Sequence, residues 1–176
     1  MFDSLIDKRR SIRKYLPRRI EAEKIERLIE AALRAPSSRD LRPCRFLFIT
    51  DPSMLGKLAR AKTAGSTFLA DAALAAVVCA DTEKSDVWVE DASIASTFLL
   101  LAAESLGLGA CWIQIRNRMH GEGRTSARYV GGLLNIPQGT AVLSIIAIGY
   151  PAETKSPHAS DSLAHEVVYR ETYGRR

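Results

Sequence analysis

The chain has 176 residues, 47% of them hydrophobic and 26% charged, with a formal net charge of +5. That balance excludes a disordered or low-complexity chain and suits one domain, 1–176, with a sizeable core. Cys44, Cys79 and Cys111 have no metal-ligand or redox spacing, no stretch reads as a secretory signal, and the most apolar window, 94–108, is too short to span a bilayer.

Residues 2–10 read as a short helix with Leu5 and Ile6 on its apolar side, broken by Pro17. Residues 21–34 form an amphipathic helix, with Ile25, Leu28, Ile29, Ala32 and Leu33 at helical spacing. Ala35-Pro36 ends it, and a polar loop follows to Arg45. Residues 46–50 read as a buried strand. Asp51-Pro52 is a helix cap followed by Pro in the first turn, with Met54, Leu55 and Leu58 as the apolar side of that helix.

Residues 73–80 form a second strand candidate, and 86–106 the longest helix, apolar around more than half its circumference. Such a helix suits a central position or a subunit interface. Gly107 caps it, and 109–115 run into a third strand. Residues 116–126 are polar, rich in Gly and Arg, and read as mobile. A short helix over 127–135 precedes a fourth strand at 142–148. The polar tail carries an apolar patch at Val167, Val168 and Tyr169, which suits an arm that packs on a partner. Interleaved strands and helices predict an α+β (α/β layered) domain, its sheet covered by helices.

Two segments carry chemistry. Lys8-Arg9-Arg10-Ser11-Ile12-Arg13-Lys14-Tyr15 sets five cations around one hydroxyl. Arg presents a planar fork of donors that fits phosphate oxygens two at a time, and a Ser hydroxyl adds another. A solvated basic face or a nucleic-acid patch fits the composition equally. The second segment, Ala35-Pro36-Ser37-Ser38-Arg39-Asp40-Leu41-Arg42-Pro43-Cys44-Arg45-Phe46, is a polar loop entering a strand.

Together these segments resemble the opening signature of the nitroreductase-like flavoproteins. Glu90-Asp91-Ala92-Ser93-Ile94-Ala95, Gly107-Leu108-Gly109-Ala110-Cys111-Trp112-Ile113, Ile136-Pro137 and Gly149-Tyr150-Pro151 follow in that family's order. The resemblance implies a nitroreductase-like fold: a central mixed sheet of about four to five strands flanked by helices, with a C-terminal arm swapped between subunits. It implies a homodimer with two FMN molecules at the interface. It also implies reduction of FMN by NADH or NADPH in a ping-pong cycle, with a nitroaromatic, quinone or related small molecule as acceptor. The residues themselves make a reducing cytoplasm the default compartment and point to no metal, no membrane and no nucleic-acid-reading motif.

Carried over by position, Arg9, Arg10, Ser11 and Arg13 match phosphate and ribityl contacts. Pro36, Ser37 and Ser38 match a loop approaching the flavin from the other subunit, with Asp40 where Asn is usual. Ser66 falls near a flavin-contacting amide, and Gln114 and Ile115 match a segment near the ring. Arg42 replaces Gln, Cys44 replaces Trp, Ile115 stands where Gly is common, and Lys155 has no nearby Arg to complete the phosphate site. These departures suggest, as an alternative, a flavin-binding protein of the same fold with a regulatory or storage role and little turnover.

Reduced flavin bears negative charge near N1 and O2, and Arg10, Arg13 and Arg42 are the candidate cations for it. Cys44 beside Arg42 and Arg45 is either a thiol of lowered pKa or an inert replacement. Cys79 and Cys111 read as core residues, Trp112 as a core or wall residue, and His120, His158 and His165 as surface residues.

Overall fold

The computed structural model describes residues 2–121 and 123–175. Five helices, α1 (Phe2–Lys8), α2 (Ala22–Leu33), α3 (Pro52–Leu58), α4 (Trp88–Ser105) and α5 (Ser126–Leu133), alternate with strands β1 (Cys44–Ile49), β2 (Leu74–Asp81), β3 (Gly109–Gln114), β4 (Met119–Gly121), β5 (Arg124–Thr125) and β6 (Thr140–Gly149). The main sheet has the order β1-β2-β6-β3. All three of its pairings are antiparallel, with Phe46 opposite Val78, Ala76 opposite Ile146, and Ile113 opposite Ile145. The layered α+β class holds. Parallel pairing among the described residues is a single bridge from Ser11 to Ala110.

β2 and β6 are central, so both of their faces are covered, and their sequences are nearly unbroken apolar runs. On one face Leu74, Ala76, Val78, Ile146 and Ile148 pack against Leu28 and Ala32 of α2 and Ala92, Leu99 and Ala103 of α4. On the other, Val77, Cys79, Ile145 and Ala147 meet Leu55 and Leu58 of α3, Leu69, and Val130 of α5. Cys79 and Cys111 are buried as expected. At the start of α3 the Asp51 carboxylate accepts from the Met54 backbone N–H at 3.0 Å, and Pro52 occupies the first turn.

α4 is apolar on most sides but is not covered on most sides. Ala92, Ala95, Leu99 and Ala103 are buried, while Ile94 and Phe98 stand exposed. Phe2 and Ile6 of α1 are exposed too, and no residue of α1 is buried. The tail has two 3-10 turns, Ser160–Ser162 and His165–Val167, and leaves Leu163, Val167, Val168 and Tyr173 in solvent. Among the described residues no helix is long and apolar enough to cross a membrane.

The stretch read as mobile, 116–126, holds the β4–β5 ladder. It is docked by His120, which is half-buried and not a plain surface residue. Its Nδ1 lies 2.7 Å from the Arg60 carbonyl, and its ring stacks on Tyr129 at 3.9 Å between centroids. His158 and His165 are exposed.

The segment after α1 is stitched between the sheet edge and the chain that leaves β6. The Ile12 N–H donates to the Ala110 carbonyl at 3.0 Å, Leu16 to Tyr150 at 2.8 Å, and Ala152 to Lys14 at 2.9 Å. Tyr15 and Ile12 turn inward, and the Tyr15 hydroxyl donates to the Ile12 carbonyl at 2.6 Å. Burial pushes that phenol well above its ordinary pKa.

Candidate functional site

Along this stitched segment Ile12 and Tyr15 turn to the core while Arg13 and Lys14 between them stay outside, a spacing of three and not strand alternation. Arg9 and Arg10 stand just past the end of α1, half-buried. Lys155 returns to the same place, donating from Nζ to the Ser11 carbonyl at 2.7 Å. The Arg10 guanidinium donates to the Ser156 carbonyl. The Cys111 thiol lies beneath: burial raises its pKa, while Arg13, Ser11, Lys155 and Arg9 pull the other way. Lys155, Arg10 and the backbone of Ser11 thus meet beside the start of β3.

Glu153 is the acid of this cluster. Its carboxylate accepts from the Arg13 backbone N–H at 2.6 Å and pairs with Lys155 at 3.4 Å. The Arg13 backbone bond is the main cause holding its carboxyl below the usual range. Among the described residues no carboxylate pairs with the side chains of Arg9, Arg10 or Arg13. Three arginines without an acidic partner, beside a Ser hydroxyl, are the candidates for holding a phosphate-sized anion. Lys155 thus reaches the cluster that sequence reasoning left incomplete.

The loop expected to approach from the other subunit lies, within one protomer, at the opposite edge of the sheet. Pro36, Ser37, Ser38 and Asp40 sit at the β1 edge, between α2 and β1. Two strands separate β1 from β3, so the two groups stand at least about 14 Å apart at the usual spacing between strands. The loop is tightly built. Arg39, Asp40 and Arg42 all have positive φ, 51°, 51° and 49°, a region that non-glycine residues seldom enter. The Ser37 hydroxyl accepts from the Arg42 N–H at 2.9 Å. The Ser38 N–H donates to Asp91 at 2.7 Å. Arg42, a candidate for the flavin ring, is held by Asp40 through bonds of 2.7 and 2.9 Å. It therefore carries its own counter-ion, and Asp40 is held below its usual pKa chiefly by those bonds.

Three predicted contacts are occupied within the chain. Ser66 is fully buried, and its hydroxyl donates to the Ala59 carbonyl at 2.8 Å. Ile115 is fully buried in the core. The Gln114 amide accepts from the Trp112 indole N–H at 2.9 Å and donates to the Arg116 carbonyl at 2.9 Å. The Gln114 amide keeps a second N–H and a second oxygen lone pair for a ligand, whereas Ser66 is fully buried.

A cavity of about 280 Å³ opens beside the 36–42 loop, with Pro36, Ser37, Arg42, Cys44 and Asp91 in its wall. Cys44 begins β1 and is half-buried there, not in a polar loop. Burial, with a smaller push from Asp91, raises its thiol to about 11 and outweighs the pull of Arg45. The reactive reading of Cys44 is thereby corrected. At pH 7 only about one thiol in ten thousand is ionised. Alkylation of Cys44 by iodoacetamide is expected to be slow at pH 7 and to climb about tenfold per pH unit until pH approaches 11. Rapid labelling at pH 7 in the folded protein contradicts this.

The nitroreductase family model matches residues 6–81 and 50–150. The chain belongs to the nitroreductase family. An Archaeoglobus fulgidus protein described as an NADH dehydrogenase/NAD(P)H nitroreductase is 38% identical over 174 residues, covering 96% of this chain and 97% of its own. The structure of an FMN-dependent nitroreductase from Clostridium difficile R20291 superposes with a TM-score of 0.94 at 42% identity, covering 96% of this chain and 98% of the other. The NADPH:FMN oxidoreductase of Vibrio harveyi, solved with NAD+, gives a TM-score of 0.82 at 29% identity, covering 99% of this chain and 79% of the other. The chain is thus an oxidoreductase of the nitroreductase family.

Proposed function

We propose that this nitroreductase is a cytoplasmic, homodimeric, FMN-dependent NAD(P)H oxidoreductase built from one flavin-binding domain. The observation that carries the reading is the trio of arginines without acidic partners at the β3 edge, in a chain of this family. Arg9, Arg10 and Arg13, with Ser11 and Lys155, would hold the FMN phosphate. Arg13 or Arg10 would offer positive charge where the reduced ring becomes anionic. Bound FMN supplies the hydride and electron chemistry between nicotinamide and acceptor.

A second copy is needed on this reading, because the Pro36–Asp40 loop and the arginines lie at opposite edges of one sheet. Apolar side chains left in solvent on α1, α4 and the tail supply the surface for it, and they support an arm exchanged between subunits. Nitroaromatics and quinones fit as acceptors because they take electrons from reduced flavin without a protein nucleophile.

Purified protein is expected to be yellow, with flavin absorbance released on denaturation. Initial rates with NADH or NADPH against a quinone should give parallel lines in double-reciprocal form, since donor and acceptor use one face in turn. Intersecting lines exclude that order of events. Stoichiometric flavin without turnover favours the regulatory or storage alternative.

A further inference from the structure

We propose that Asp91 is a positioning residue: from the buried first turn of α4 it fixes the backbone of Ser38, and with it the shape in which the 36–42 loop meets a ligand across the subunit boundary. The ligand-facing half rests on the flavin reading above; the anchoring half stands on the chain alone.

Asp91 is 2% exposed, and no cation pairs with it among the described residues. A carboxylate buried in this way needs hydrogen bonds to both oxygens. One oxygen accepts from the Ser38 N–H at 2.7 Å, and the other from the Ser85 hydroxyl at 2.8 Å. The first turn of an 18-residue helix favours negative charge there. The residue thus ties three segments together: the loop after α2, the turn after β2, and α4.

The loop needs such an anchor. Arg39, Asp40 and Arg42 hold left-handed backbone that costs free energy and persists only where surroundings enforce it. The contacts on this loop include the Ser37 hydroxyl, the Arg42–Asp40 and Arg39–Asp86 pairs, the turn bonds from Asp40 to Ser37 and from Leu41 to Ser38, and Asp91; of the side chains among them, Asp91 alone is buried. Pro36 and Ser37 immediately precede the anchored N–H and share a cavity wall with Asp91.

The test is hydrogen exchange on the full-length protein, with and without added FMN, for wild type, Asp91→Ala and Asp91→Asn. In Asp91→Ala, exchange over 36–42 should rise about tenfold or more, the effect of losing a charge-assisted bond. β2 and β6 should keep their protection. Asp91→Asn should exchange as wild type, because its amide oxygen can accept from Ser38 and its NH2 can donate to the Ser85 hydroxyl. Unchanged exchange over 36–42 in Asp91→Ala, an equal rise across the whole sheet, or failure of Asn to restore protection overturns the proposal. If Asp91→Ala does not fold, Ser85→Ala serves: a smaller rise confined to the same peptide supports the anchor, and none overturns it. Failure of wild type to bind FMN sinks the cofactor reading but leaves the exchange result to judge the anchor.

Discussion

Changing Arg9, Arg10 and Arg13 together to Ala is expected to give folded protein that has lost its flavin. The fold should survive because other groups hold this segment. Ile12 and Tyr15 fill the core, and the bond to Glu153 comes from the Arg13 backbone, not its guanidinium. The bonds from Ile12 to Ala110 and from Leu16 to Tyr150 are also backbone contacts. The structural losses are the bond from Arg10 to the Ser156 carbonyl and the contact of the Arg13 guanidinium with the Phe68 ring, 5.8 Å from its centroid. The ligand loses charge-assisted contacts worth about 1.5–3 kcal/mol each, so affinity should fall by at least a thousandfold, or roughly 4 kcal/mol. Absorbance of the purified variant and an FMN titration read the effect. Stoichiometric flavin retained in the triple variant moves the phosphate site elsewhere.

Gly109→Ala should damage stability and ligand binding together. A Cβ at Gly109 would lie 2.7 Å from Cγ2 and 2.8 Å from Cβ of Ile12. Those atoms sit at the root of a β-branched side chain, which cannot swing aside. The 11–15 segment must therefore lift from β3, straining the Ile12–Ala110 bond and moving the arginines with it. Overpacking of this kind costs about 1–3 kcal/mol, which lowers the Tm of a domain this size by about 5 °C. FMN affinity should fall in the same variant although no ligand-binding side chain was changed. Gly56→Ala is the control, since nothing lies within 4 Å of its added Cβ. Wild-type Tm and affinity in Gly109→Ala would show that the segment is not tied to β3 as described.

What the sequence revealed and what it hid follow from the range of the interactions concerned. The apolar spacing of Ile25, Leu28 and Ala32 marks α2 because helix periodicity is local, and the true ends, Ala22 and Leu33, differ from the reading by one residue each. β1 begins at Cys44, two residues earlier than expected, because Cys44 and Arg45 join the ladder through Ala80 and Cys79, a pairing with no local signature. The same holds for Cys44 itself: Arg42 and Arg45 lie within two residues of it in sequence, but it packs against the apolar cluster on one face of the sheet. β4 and β5 have three and two residues and no alternation, so their polar stretch reads as loop. The arginine cluster was legible as charge. Its separation from the 36–42 loop depends on strand order, and Lys155 and Asp91 act on residues 144 and 53 positions away.

Strand order has one more consequence. β2 and β6 lie between the loop and the arginines of one protomer. On the proposed dimeric reading, cofactor occupancy and association would be linked equilibria: each FMN bound would stabilise the pair of chains, and each dissociation of the pair would shed FMN. Dilution alone would bleach such a protein, and excess FMN would hold it together.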